Sequence, residues 1–142
     1  MCEEWHNYSN FKKWYDENYY NIDGCKMCLD KDILSKGNKI YSPENCVFVP
    51  SRINLLFVKN NKNRGDLPIG VKRSKNGRYV SACLNNESKV QYLGTFDDVE
   101  TAFDTYKQFK ELTIKQVADE YKNKIPQRLY DALYNYKVEI TD

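Results

Sequence analysis

The chain has 142 residues, enough for one medium domain or for two small ones that lean on one another. Its longest apolar runs, Cys46 to Val49 and Ile53 to Val58, are too short to cross a bilayer as helices, and no basic start precedes an apolar stretch, so no secretory signal is visible and a cytoplasmic location is expected. The net charge is only +2, but nine Lys/Arg stand against two acidic residues between Arg52 and Lys89 while both flanks are mildly acidic, a distribution that suits a polyanion-facing surface.

The first predicted element is a helix, because Trp5, Tyr8, Phe11, Trp14 and Tyr15 recur at helical spacing, with Ser9 and Asn10 as candidate caps. It ends in the turn-rich Asn21-Ile22-Asp23-Gly24. Residues 25–34 (CKMCLDKDIL) read as one strand, followed by a turn at 35–39 and then by a short loop and strand that together run from Ile40 through Val49. Pro50 suits the first turn of a helix, and Ser51 to Val58 continues in that register.

Five cysteines (Cys2, Cys25, Cys28, Cys46 and Cys83) form an odd set without an export signal and read as reduced thiols. Cys25-x-x-Cys28 has half of a zinc-site spacing, which Cys2, His6 and Cys46 would have to converge to complete. The alternative is two thiols beside a turn or within a strand.

Lys59 to Asp66 (KNNKNRGD) is polar and basic, with no apolar residue to anchor it, and reads as a linker. Strands are predicted over 70–74, 78–84 and 89–96, with Asn76-Gly77 as a hairpin turn and Asn85-Asn86-Glu87-Ser88 as a longer one. Asp97-Asp98 then places acids where a helix N-terminus favours them. Ala102, Phe103, Tyr106, Phe109 and Leu112 supply that helix with an apolar face running toward Tyr121. Pro126 breaks it, and Leu129, Leu133 and Tyr136 predict a short last helix.

Residues 29–54 (LDKDILSKGNKIYSPENCVFVPSRIN) resemble a family of phage HNH-type proteins, and residues 68–96 resemble the domain that follows in that family. That second domain is similar to the three-stranded sheet plus helix of plant ethylene-response factors and of some phage integrase arms. The family usually carries a further stretch before Cys2-Glu3-Glu4-Trp5, so the chain resembles an N-terminally shortened member. The resemblance implies a ββα nuclease unit in which a histidine ends the first strand and deprotonates the attacking water, while one divalent cation stabilises the leaving oxygen. Carried over by position, Asp30 falls at the metal-ligand place, Lys31 at the general base, Asn45 at the structural asparagine and Asn54 at the helical ligand. A lysine is protonated near neutral pH and cannot accept that proton. The only histidine, His6, lies in the first helix. These positions are therefore expected to be vestigial, with no catalysis.

Strand alternation assigns the second half its faces. Tyr79, Ser81, Cys83 and Leu93 are expected to pack on the helix, leaving Val80, Ala82, Val90 and Tyr92 outward as a candidate protein-docking patch. The nucleic-acid-binding candidates are Lys62, Arg64, Lys72, Arg73, Lys75, Arg78 and Lys89, at one end of the sheet and in the linker. The fold class is α+β: a degenerate HNH-like ββα module over 1–58, a basic linker over 59–67, and a three-stranded sheet with helices over 68–142. No cofactor is expected; a weakly held divalent cation at Asp30 and Asn54 is left open, with Cys25 and Cys28 as lesser ligand candidates. The expected activity is non-catalytic binding of double-stranded DNA by a phage or prophage protein in a bacterial host. The alternative is a counter-defence inhibitor of the anti-CRISPR type that docks on a host nucleic-acid enzyme, and a metal-dependent nickase stands third.

Overall fold

A computed structural model describes residues 2–36, 40–57, 66–87 and 89–142. The linker cations Lys62 and Arg64 lie outside the described residues. Mixed α and β structure begins with a short 3-10 helix, Glu3–His6, and α1, Tyr8–Asn18. Asn7 caps α1 by accepting the Ser9 N–H at 2.9 Å, so the helix starts earlier than the Ser9 and Asn10 caps imply. No residue of α1 is fully buried. The helix is held instead by aromatic packing: the rings of Trp14, Tyr15 and Tyr19 lie 5.5, 5.0 and 5.2 Å from that of Phe48.

Phe48 belongs to β2, Val47–Pro50, which pairs antiparallel with β1, Met27–Asp30. Val47 and Val49 project into the main core while Phe48 meets the α1 rings, which explains why β2 is apolar without alternation. The strand expected over 25–34 stops at Asp30. There the buried carboxylate accepts the N–H groups of Asp32 and Ile33 at 2.9 and 2.8 Å and turns the chain. Pro50 ends β2 and precedes α2, Ser51–Leu55, instead of occupying the helix's first turn.

The second sheet has the order β3-β4-β5, from Val71–Arg73, Tyr79–Leu84 and Val90–Phe96, all antiparallel. Gly77, at φ +82°, makes the turn between β3 and β4, where the Ser74 N–H donates to the Arg78 carbonyl at 2.7 Å. The sheet packs on α3, Val99–Glu120, whose cap Asp98 accepts from the Thr101 hydroxyl at 2.9 Å. A last helix, α4 (Gln127–Tyr134), follows Pro126.

Helix α3 serves two cores. Ala102, Phe103 and Tyr106 cover the sheet with Val71 and Cys83. Ile114, Val117 and Ala118 join Val47, Val49, Ile53 and, from α4, Leu129 and Leu133. The interior of residues 2–57 is thus completed by the second half of the chain, across the boundary drawn at 59–67. Leu112, expected on the apolar face, is 55% exposed; the buried stripe steps from Tyr106 through Lys110 and Thr113 to Ile114. Arg52 of α2 binds both Glu120 carboxylate oxygens, one of them at 3.3 Å, and also the Asn86 carbonyl in the β4–β5 turn, tying the two sheets together.

Lys110 is 8% exposed and has no ion pair or hydrogen bond among the described residues. Burial pushes its ammonium below the usual lysine range, against the opposing pull of the nearby Cys83 thiol. A depressed lysine pKa means the folded state binds that proton less tightly than the unfolded chain, so the cost is full at neutral pH and fades as pH rises through the folded pKa. Lys110→Met is expected to stabilise the protein by on the order of 1 kcal/mol at pH 7. The gap to the parent should narrow toward pH 10 in urea unfolding; a variant less stable at pH 7, or a gap that widens with pH, contradicts this.

Candidate nucleic-acid interface

Cross-strand register fixes which side chains share the outer face of the three-stranded sheet. Lys72 lies beside Val80 and Val80 beside Thr95; Ala82 pairs with Tyr92, and Leu84 with Val90. The opposite face carries Val71, Ser81 and Cys83 onto α3, all buried, with Leu93 packed partly against the same core. The expected faces therefore hold at Val80, Ala82, Val90 and Tyr92, despite a register shift between Ser81 and Ala82. Val90 and Tyr92 are the most open, 75% and 63% exposed, while Val80, Ala82 and Leu84 are half-buried.

The cations are not equivalent. Lys72, Lys75 and Lys89 are exposed and make no ion pair among the described residues. Arg73 lies on the helix side of the sheet with its guanidinium 5.8 Å from the centre of the Tyr79 ring. Arg78 is committed: its Nε donates to Asp97 Oδ1 at 2.8 Å and its Nη2 to the Thr95 carbonyl at 3.4 Å. Asp97 neutralises part of the charge that the sequence places here. The strand register that puts Tyr79 opposite Phe96, next to Asp97, is the signal that finds this pair.

In the β1–β2–α2 unit, Lys31 follows the end of β1. Its ammonium lies 3.0 Å from Asp32 Oδ1 and 5.7 Å from the centre of the Tyr41 ring. The hydrogen bond with Asp32 raises the Lys31 pKa above the ordinary lysine value. Asp30 is moved upward chiefly by burial, against the lowering effect of its two backbone hydrogen bonds, which use one of its carboxylate oxygens. Asn45 Oδ1 accepts the Ser35 hydroxyl at 2.9 Å and ties one loop of the unit to the other. Asn54 is half-buried in α2, and its amide makes no hydrogen bond among the described residues. Tyr41 and Arg52 escaped the sequence reading: both lie within the 29–54 string, at positions to which the resemblance gives no role.

The five cysteines are free thiols. Cys28 lies in β1 opposite Val49, whereas the Cys25 sulfur is 3.9 Å from the Tyr121 hydroxyl. Among the described residues no three His, Cys, Asp or Glu side chains converge to hold a metal ion, so Cys2, His6 and Cys46 do not complete a site with Cys25 and Cys28. Among the described residues, no helix is long and apolar enough to cross a membrane. Comparison with protein-family models, with curated proteins and with solved structures finds no match for the chain.

Proposed function

We propose that this protein binds double-stranded DNA through the outer face of its three-stranded sheet and performs no chemistry on it. The observation that carries the reading is a sheet whose outer face is left open by the described residues and whose stretch from Val71 to Phe96 bears five cations against one carboxylate. A three-stranded face suits the major groove, with the cations at its rim on phosphates. The test is duplex affinity measured across a salt series. Binding should be salt-steep, and Lys72→Ala, Lys75→Ala and Lys89→Ala should each weaken it similarly for all sequences and lower the salt slope by about one. An unchanged slope in the triple variant would remove this sheet from the account.

Lys31 is the reason to expect no catalysis, since it stands in the position that the phage HNH-type resemblance gives to the base. Its ammonium is hydrogen-bonded to Asp32 and held further from deprotonation than an ordinary lysine. Supercoiled plasmid should therefore stay uncut with Mg²⁺ or Mn²⁺. Nicking by the parent protein that disappears in Asp30→Ala would overturn the scaffold reading.

One observation favours a second reading. Val90 and Tyr92 are exposed apolar side chains on β5, the edge strand of the face, which suits docking on another protein, such as a host nucleic-acid enzyme inhibited by a counter-defence factor. Capture of such an enzyme, lost in Tyr92→Ala while duplex affinity is negligible, would favour that reading over DNA binding.

A further inference from the structure

The outer face of the sheet is composed in a way that restricts which base edges it accepts. Along its β4–β5 side, Val80, Ala82, Leu84, Val90 and Tyr92 present methyl, isopropyl, isobutyl and ring carbon. The only side-chain polar atoms among these residues and their neighbour Thr95 are the Tyr92 and Thr95 hydroxyls, and those bond to each other. No amide, carboxylate or guanidinium sits among these six to match guanine O6 and N7, adenine N6 and N7 or cytosine N4. Covering those groups without partners costs free energy. One major-groove feature gains by contact with such a surface: the methyl group on C5 of a pyrimidine. The charge complementarity of the rim, with Lys72, Lys75 and Lys89 exposed and without ion pairs among the described residues, brings a polyanion to this face rather than a neutral apolar partner.

Resting on the DNA-binding reading above, we infer that the sheet selects duplexes rich in C5-methylated pyrimidines, thymine and 5-methylcytosine, by covering their methyl groups with the Ala82–Tyr92 and Leu84–Val90 pairs. The selectivity comes from apolar burial, so it differs in salt dependence from the phosphate contacts. Each methyl covered is worth about fourfold in affinity.

The test uses the full chain and four alternating duplexes of equal length: dA·dT, dA·dU, dG·dC and dG·d(5-methylcytosine). Removing the methyl from thymine should weaken binding by at least about fourfold, and adding it to cytosine should strengthen binding by a similar factor. Tyr92→Ser and Val90→Ser, both at exposed positions, should erase these two ratios while leaving the salt slope unchanged. Lys72→Ala should lower the slope and keep the ratios. Salt-steep binding with equal affinity for the dA·dT and dA·dU duplexes would overturn the inference alone. Negligible binding to all four duplexes at low salt would overturn the DNA-binding reading itself and leave the apolar β4–β5 side to a protein partner.

Discussion

Gly70→Ala is expected to be among the most damaging single-methyl additions this chain can suffer. Gly70 has φ +81°, and a Cβ built on it would lie 2.1 Å from Cδ2 of the Tyr106 ring. The left-handed backbone alone costs a non-glycine residue about 1 kcal/mol. The ring must also move, although Tyr106 is buried in the sheet–helix core and the Gly70 carbonyl accepts the Ala82 N–H at 3.2 Å. A total loss of about 3 kcal/mol is expected, or roughly 10 °C in Tm. Gly77→Ala supplies the control, because Gly77 shares the same backbone region at φ +82° with nothing within 4 Å of the place its new methyl would take. It should cost only the strain. Equal losses for the two variants in urea unfolding would show that the approach of Tyr106 to the chain is not the limiting contact.

A second large effect is expected on α3, at two positions only a pair of residues apart. Ile114 is fully buried between β2, α2 and α4, and Ile114→Ala should cost about 2–5 kcal/mol, the usual range for emptying such a site. Leu112→Ala, at a position 55% exposed, should fall within about 0.5 kcal/mol of the parent. Because the same helix carries Phe103 and Tyr106 into the sheet core, loss at Ile114 should lower the midpoint for both halves together in one transition. Separate midpoints, one for signals from the sheet and one from the β1–β2–α2 unit, would contradict the sharing of a helix.

Much of the second half was legible from local chemistry. Asn76-Gly77 demands a tight turn, and alternation from Tyr79 to Leu84 assigns Ser81 and Cys83 inward, as their burial shows. The phase of α3 was harder to read. Leu112 looks like a core residue and Lys110 does not, yet the stripe set by Tyr106, Thr113 and Ile114 buries the lysine. Strand ends were obscured because Asp30 stops β1 through its own side chain, an act indistinguishable in sequence from a charged residue on a longer strand. The pairing of Arg78 with Asp97 joins residues 19 positions apart and depends on register, so a list of basic residues overstates the free charge at the sheet.

The two-core helix also dictates an order of assembly. As the chain leaves the ribosome, residues 2–57 are made long before Ile114, Leu129 and Leu133, so Val49 and Ile53 have only near neighbours such as Ile22, Ile33 and Leu56 against them until α3 and α4 emerge. The sheet meets its own cover sooner, because Ala102, Phe103 and Tyr106 follow β5 within a few residues. Local closure in the middle of the chain is thus expected to precede the distant closure at its beginning, and the β1–β2–α2 unit, first in synthesis, becomes last in folding.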